Sequence, residues 1–249
     1  MDNVQYNPRS SAAASLGFLI SIIAFLTALS AGMGTRYELW NFRVGLAVLR
    51  WAAYAGVAAA ALSLIGVILS WRPVITRNLL WAVPGLIIGI TVAAVPWYWM
   101  EMAKNLPRIH DITTDTQDPP NFAAILALRR NASNPPDYGG PQIAAQQLKA
   151  YPDIIPLILD VPSDKVFEKA LDVAGGMGWK IVDMNKDAGR IEATDTTFWF
   201  GFRDDIVIRI EKNDSGSRLD IRSVSRVGVS DVGTNAKRIR RFLKKMQKV

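Results

Sequence analysis

Three stretches of this sequence, residues 12–33, 51–71 and 79–100, each run 21 or 22 residues without a charged side chain. At ~1.5 Å of rise per residue such a stretch crosses a ~30 Å hydrocarbon layer as a helix, whose backbone hydrogen bonds are satisfied internally. Buried helices of a soluble protein would not recur three times in succession with charges confined to the gaps, so all three are expected to span a membrane. Trp40, Trp51, Trp71, Trp81, Trp97 and Trp99, six of the eight tryptophans, lie at or near the span ends, where an amphipathic ring sits at headgroup depth.

Small residues at four-residue spacing, Ala52-Gly56-Ala60 and Gly85-Gly89-Ala93, let two backbones approach closely along the second and third spans. Pro84 and Pro96 are expected to bend the third helix or end it. No ionisable residue falls inside a span, which argues against a proton relay, an ion path or a voltage sensor. The first apolar run exceeds the ~7–15 residues of a signal-peptide core and follows only Arg9, so its retention is expected.

Charge is partitioned sharply. Residues 1–100 contain only Arg9, Arg36, Arg43, Arg50, Arg72 and Arg77 against Asp2 and Glu38, out of 29 basic and 22 acidic residues in the chain. The remainder has the composition of a water-soluble domain. The absence of cysteine excludes a disulfide scaffold, a cysteine nucleophile and Cys-rich metal sites, and the single histidine, His110, excludes a multi-histidine centre within one chain. The expected organisation is a membrane anchor over 1–103, a Pro/Gly-rich strap over 104–152 and an α+β domain over 153–249.

The strap carries Pro107, Asp118-Pro119-Pro120, Asn134-Pro135-Pro136 and Gly139-Gly140-Pro141, which restrict it to extended chain with a short helix at 143–149. Beyond it, 154–160 reads as an edge strand containing Pro156. Pro162-Ser163 opens a helix to about residue 174 that Gly175-Gly176 stops. Strand patterns follow at 178–184, 190–197, 203–212 and 217–226, then a helix at 231–247. Strand, helix, four strands, helix implies an antiparallel curved sheet with the C-terminal helix across one face, the element order of TATA-binding-protein-like and helix-grip folds.

The stretches Arg108-Ile109-His110-Asp111-Ile112-Thr113-Thr114-Asp115, Tyr151-Pro152-Asp153-Ile154, Arg190-Ile191-Glu192-Ala193-Thr194 and the long run from Ser223-Val224-Ser225-Arg226 through Gly233-Thr234-Asn235-Ala236-Lys237-Arg238-Ile239 resemble the domain-of-unknown-function 1499 family. The resemblance covers residues 108–242. It implies kinship without a known reaction, and a bacterial exported or membrane-anchored setting that favours a periplasmic domain. The charge count points the other way: Arg9, Arg72 and Arg77 lie on one side of the membrane, while Arg36, Arg43, Arg50, Lys104 and Arg108 lie on the other, with the domain. A short interfacial helix in the 36–50 loop, with Trp40, Phe42 and Leu46 in the headgroups and the arginines snorkelling, reconciles the two.

Strand alternation nominates one site. The apolar parity of Ile191 and Ala193 continues to Asp195 and Thr197, that of Ile206, Ile208 and Ile210 runs back to Asp204, and that of Leu219 and Ile221 continues to Ser223 and Ser225. One turn before the stripe Ile239, Phe242, Leu243, Met246, the last helix presents Asn235 and Arg238 on the same side. These seven polar residues are expected to converge. They form either a pocket for an anionic or hydroxylated ligand or an internal network in which Arg238 pairs with Asp195 or Asp204 and Ser230 or Asp231 caps the helix, the second being favoured.

His110 with Asp111, Asp115 and Asp118 is better read as a set of Asx turns than as a metal site. Gly175-Gly176-Met177-Gly178 is better read as a helix stop than as a phosphate loop. The basic run 237–248 lacks any nucleic-acid module around it, so headgroup contact or solvation is expected. No cofactor, metal or nucleic-acid partner is expected. A well-developed anchor without catalytic groups favours a non-enzymatic accessory or binding protein acting on a membrane protein or lipid-like ligand. The alternative is an anchored hydrolase or lyase using Asp195 and Asp204, with Arg238 holding an anion.

Overall fold

A computed structural model of the chain describes residues 8–70 and 76–247. It divides into two compact units, Met1–Glu101 together with Phe198–Gly201, and Met102–Thr197 together with Phe202–Val249. In the first, α1 (Pro8–Arg36), α2 (Phe42–Leu69) and α3 (Thr76–Lys104) contain spans with mean hydropathies of 2.3, 2.1 and 2.1, long and apolar enough to cross a membrane. The side chains that face outward are apolar: Leu19, Ile23, Val57, Ile68, Ile87 and Ile90 are all more than half exposed, the inverse of a soluble bundle.

Small residues set the approach of these helices. A Cβ on Gly56 would lie 2.9 Å from the Gly89 carbonyl oxygen, and one on Gly89 would lie 2.8 Å from the Gly56 carbonyl oxygen, so α2 and α3 touch through bare backbone. Likewise, a Cβ on Gly85 would come within 2.9 Å of Phe18 Cα in α1. The separate interfacial helix expected within 36–50 is not formed. Only residues 37–41 join α1 to α2, because the Asn41 side chain accepts from the Arg43 and Val44 amides at 3.0 and 3.2 Å and starts α2 there. Arg43 and Arg50 therefore sit exposed in the first turns of α2, from which long side chains reach back toward headgroups. Nor does Pro96 end the third helix: α3 continues through both prolines to Lys104. The expected span end at Trp71 and the basic loop beyond it to residue 75 lie outside the described residues.

The second unit is built on a six-stranded antiparallel sheet: β1 (Asp111–Thr113), β2 (Leu157–Leu159), β3 (Lys180–Asn185), β4 (Arg190–Thr196), β5 (Arg203–Asn213) and β6 (Gly216–Ser225). The order is β3-β4-β5-β6, and β1 and β2 pair with opposite halves of β6 along its far edge. The strand at residues 111–113, inside the strap, adds to the five read from sequence. On one face Ile191, Ile206, Ile208, Leu219 and Ile221 are covered by α5 (Ser163–Gly176) and α6 (Thr234–Met246), through Val166, Phe167, Ala170, Ile239 and Phe242. Trp179 stacks on Phe242 with ring centroids 5.4 Å apart. The chain leaves α5 through Gly178 (φ +80°), with Trp179 N–H donating to the Ala174 carbonyl and Gly178 N–H to that of Gly175, a paired closure that glycine permits and that makes this segment a helix stop.

The strap covers the opposite face. A 3₁₀ turn, Ala124–Arg129, and the Phe122 ring bury Val207 and Val224, while α4 (Gly140–Ala150) lies beyond the proline pairs and places Gln147 against β1. Gln147 donates to the Thr113 carbonyl at 2.6 Å and accepts from the Thr113 amide at 2.9 Å, completing the edge of β1. The sheet is thus buried on both sides, by helices on one and by irregular chain on the other.

Candidate functional site

Residues from β4, β5, β6 and α6 meet where the α6-side face turns from apolar to polar. Asp195 lies directly opposite Asp204, and Asp204 directly opposite Ser225, in the ladder. Two adjacent carboxylates repel unless a cation sits between them. Arg238 supplies it: Nε donates to Asp195 at 2.8 Å and Nη2 to Asp204 at 2.6 Å. Its Nη1 donates to Ser223 Oγ at 3.1 Å and also to Asn235 Oδ1. Asn235 then accepts from Ser223 Oγ at 2.7 Å and donates to Ser225 Oγ at 3.1 Å and to the His110 carbonyl at 3.0 Å.

Six of the seven residues singled out by strand parity therefore converge. Thr197 does not: its hydroxyl accepts from the Phe202 amide at 2.9 Å and closes the β4–β5 connection. Asp231 precedes the cluster, accepting from the Gly233 and Asn235 amides at 3.0 and 2.6 Å at the start of α6. Burial raises its pKa to about 6 in spite of those two donors.

This geometry is that of a satisfied network. Every nitrogen of Arg238 has a partner, and Asn235 and Arg238 are buried together with Asp204, Ser223 and Ser225. An acid/base role for Asp195 and Asp204 with Arg238 as anion holder requires the guanidinium to release both carboxylates first. Two surface depressions, of about 320 and 490 Å³, open elsewhere. One is lined by Lys169, Asp172, Gly176 and Lys245, and the other by residues 160–164 and the β5–β6 turn.

The other face holds a denser set of charges. Arg222, fully buried, donates through Nε and Nη2 to the two oxygens of Asp111 at 2.9 and 2.7 Å, and to the carbonyls of Pro120 and Pro136 at 3.2 and 2.7 Å. The rings of Phe122 and Tyr138 lie 5.3 and 5.5 Å from its guanidinium carbon. Asp205 is shared by Arg129 at 2.7 Å and Arg226 at 2.8 Å, and takes a further bond from Thr194 at 2.7 Å. Glu192 accepts from the amides of Ala123, Ala124 and Ile125 at 2.8, 3.3 and 2.8 Å, which anchors the 3₁₀ turn. Arg209 and Arg218 tie Asp220 to Asp115 and Asp118.

The aspartates beside His110 are thereby accounted for. Asp111 belongs to Arg222, and burial raises its pKa even so. Asp115 forms an Asx turn with the amides of Gln117 and Asp118, both at 2.9 Å; burial opposes its ionisation, but those donors and Arg218 hold its pKa below the usual carboxylate range. Asp118 pairs with Arg209 at 2.6 Å. Among the described residues no three metal-ligating side chains cluster.

The family model described as "Protein of unknown function (DUF1499)" matches residues 111–246. The chain belongs to the DUF1499 family. No curated protein matches it. The match starts at β1 and ends with α6, so the DUF1499 unit includes most of the strap together with the sheet and both ionic clusters. Strand parity singled out residues of the α6-side face alone and so missed the strap-side cluster of Glu192, Asp205, Arg209, Asp220 and Arg222. A signal was present: charges of opposite sign face one another across the ladder, as in Arg209 and Asp220, and the Arg108–Asp115 stretch of the family resemblance lies inside the strap.

Proposed function

We propose that this DUF1499 protein is a non-enzymatic, membrane-anchored accessory protein whose α+β domain contacts a membrane protein or a small amphiphile at the bilayer surface. The observation that carries this reading is the commitment of the domain's buried charged groups to internal ion pairs. Asp111, Glu192, Asp204, Asp205 and Asp220 each face donors that fix them in place, which suits a rigid presenting surface better than a reacting centre. Three helices that fit a bilayer restrict whatever the domain binds to the neighbourhood of the membrane.

The setting that fits the family resemblance is a bacterial inner membrane, with the N-terminus in the cytoplasm and residues 108–249 in the periplasm. In that topology Arg36, Arg43 and Arg50 are outside, and their position at the end of α1 and in the first turns of α2 lets them reach outer-leaflet phosphates. Alkaline phosphatase fused after Val249 is expected to be active and a fluorescent cytoplasmic reporter at the same place dark; the reverse pattern moves the domain, and its partner, to the cytoplasm. For the binding function, a photo-crosslinking residue at Ile158 or Met184, which are 55% and 64% exposed, is expected to give a discrete adduct in intact cells. Uncrosslinked protein from both positions, and from a panel of other exposed sites, contradicts the accessory role.

A further inference from the structure

Four residues that follow β4 and precede β5, Phe198–Gly201, belong to the helical unit. Their contacts there are specific. The Trp199 indole N–H donates to the Leu29 carbonyl at 3.3 Å, and its ring fills the space over Gly32, where a Cβ would collide with it. Arg36, the last residue of α1, donates to the Phe198 carbonyl at 2.7 Å, and its guanidinium carbon lies 5.7 Å from the centre of the Phe198 ring. Phe200 is buried and meets Trp199 edge-on at 5.0 Å. Gly201 adopts φ +66° with Arg36 against it, so the turn that returns the chain to β5 requires glycine.

These contacts fix the depth of the loop. Arg36 ends a candidate span of 25 residues that begins at Ala12. Gly32 and Leu29 lie one and two turns further in, at roughly 6 and 10 Å from Arg36 along the axis. Trp199 therefore sits where an indole prefers to be in a bilayer, at the boundary of headgroup and acyl chain. The Phe198 ring, 78% exposed, lies beside Arg36, and Tyr37 and Leu39, which follow directly after α1, are 69% and 73% exposed. For a chain in water this concentration of bare aromatic and aliphatic surface at one helix end is unfavourable; at headgroup depth each ring gains from burial.

We infer that the Phe198-Trp199-Phe200 tip is a fourth membrane attachment, with the Phe198 ring facing lipid as a wedge in the headgroup boundary and Trp199 and Phe200 holding it against the C-terminal end of α1. The partner is the lipid itself, since the 78% exposed Phe198 lies beside Arg36 at the end of a span, and Tyr37 and Leu39, which follow Arg36 in the chain, are exposed as well. The inference rests on the helices spanning a bilayer and not on the accessory reading, and it holds whether or not the domain has a protein partner.

The chain has no cysteine, so one introduced cysteine is a unique attachment point. The full chain carrying Phe198→Cys, labelled with an environment-sensitive fluorophore and reconstituted in phosphatidylcholine/phosphatidylglycerol vesicles, is compared with Met184→Cys. The label at 198 is expected to emit at shorter wavelength, to be quenched several-fold more by lipids spin-labelled high on the acyl chain, and to be shielded from iodide present on both sides. Equal emission at the two positions with iodide quenching at 198 overturns the inference. So does a blue-shifted label insensitive to both quenchers, which means that protein rather than lipid covers the tip. Trp199→Ala, made in the Phe198→Cys background, is expected to lower the lipid quenching; unchanged quenching contradicts the wedge.

Discussion

Arg222→Met removes the most deeply buried cation of the strap-side cluster while roughly keeping side-chain volume. It eliminates the bidentate pair with Asp111 and the bonds to two proline carbonyls, and strands the Asp111 carboxylate at 5% exposure. Breaking a buried pair by removing one partner costs about 3–5 kcal/mol, because the remaining charge is neither solvated nor compensated. At ~2 kcal/mol per molar urea that displaces the unfolding midpoint of the α+β unit by about 2 M. Pulse proteolysis of the full-length protein in detergent, scored on fragments from residues 102–247, reads that unit separately from the helices. Arg222→Lys keeps the charge but not the fork and is expected to fall between wild type and Arg222→Met. The double variant Asp111→Asn/Arg222→Met is expected to lose less than the two single losses together, since neither charge is then left alone. A midpoint for Arg222→Met within about 0.3 M of wild type, equivalent to ~0.6 kcal/mol, refutes the assignment of the cluster as the clamp between strap and sheet.

Three further outcomes follow from the same physics. Asp231 has a folded pKa of about 6 against an ordinary 3.8, so its burial as an anion opposes folding; lowering pH through about 6 protonates it and relieves that penalty, and raising pH restores it. The midpoint difference between wild type and Asp231→Asn is therefore expected to move in favour of wild type from pH 7 to pH 4, and a pH-independent difference contradicts the role of burial. In the Arg238 cluster, Asp204→Asn is expected to cost more than Asp195→Asn, because the Asp204 side chain is 5% exposed and that of Asp195 31%; equal midpoints contradict the network as drawn. In the anchor, Ser63 is buried with no partner for its hydroxyl among the described residues, and a Cβ on Gly17 would lie 2.7 Å from its amide nitrogen, so Ser63→Ala is expected to be neutral or stabilising and Ser63→Leu to disrupt the bundle. Denaturation of the detergent-solubilised protein with SDS, followed by circular dichroism, reads both.

Sequence patterns disclosed those parts of the molecule that obey a local period. The spans are legible because lipid forbids charge, and the Arg238 cluster because period-two alternation carried Asp195, Asp204, Ser223 and Ser225 past the last apolar residue of each strand. The same rule misplaced Thr197, where the strand gives way to the turn that delivers Phe198. It singled out nothing on the face of Glu192, Asp205 and Arg222. Alternation reports polarity, and polarity equals exposure only when no other segment brings matching charges. The strap brings Asp111, Asp115, Asp118 and Arg129 from 76 to 111 residues away in sequence, and no local pattern encodes that pairing. The start of α2 was missed for a smaller reason: arginines at its first turns resemble a loop unless the Asn41 cap is weighed against them.

Native mass spectrometry of the full-length protein, extracted with its surrounding lipid into nanodiscs directly from the membrane in which it is expressed, tests the accessory role most directly. The expected result is a stoichiometric additional mass, a second membrane protein or a retained amphiphile, that survives mild activation and is lost when the residues contacting it, identified by crosslinking, are changed. A monodisperse chain carrying no additional mass, both in nanodiscs and in several detergents, contradicts it.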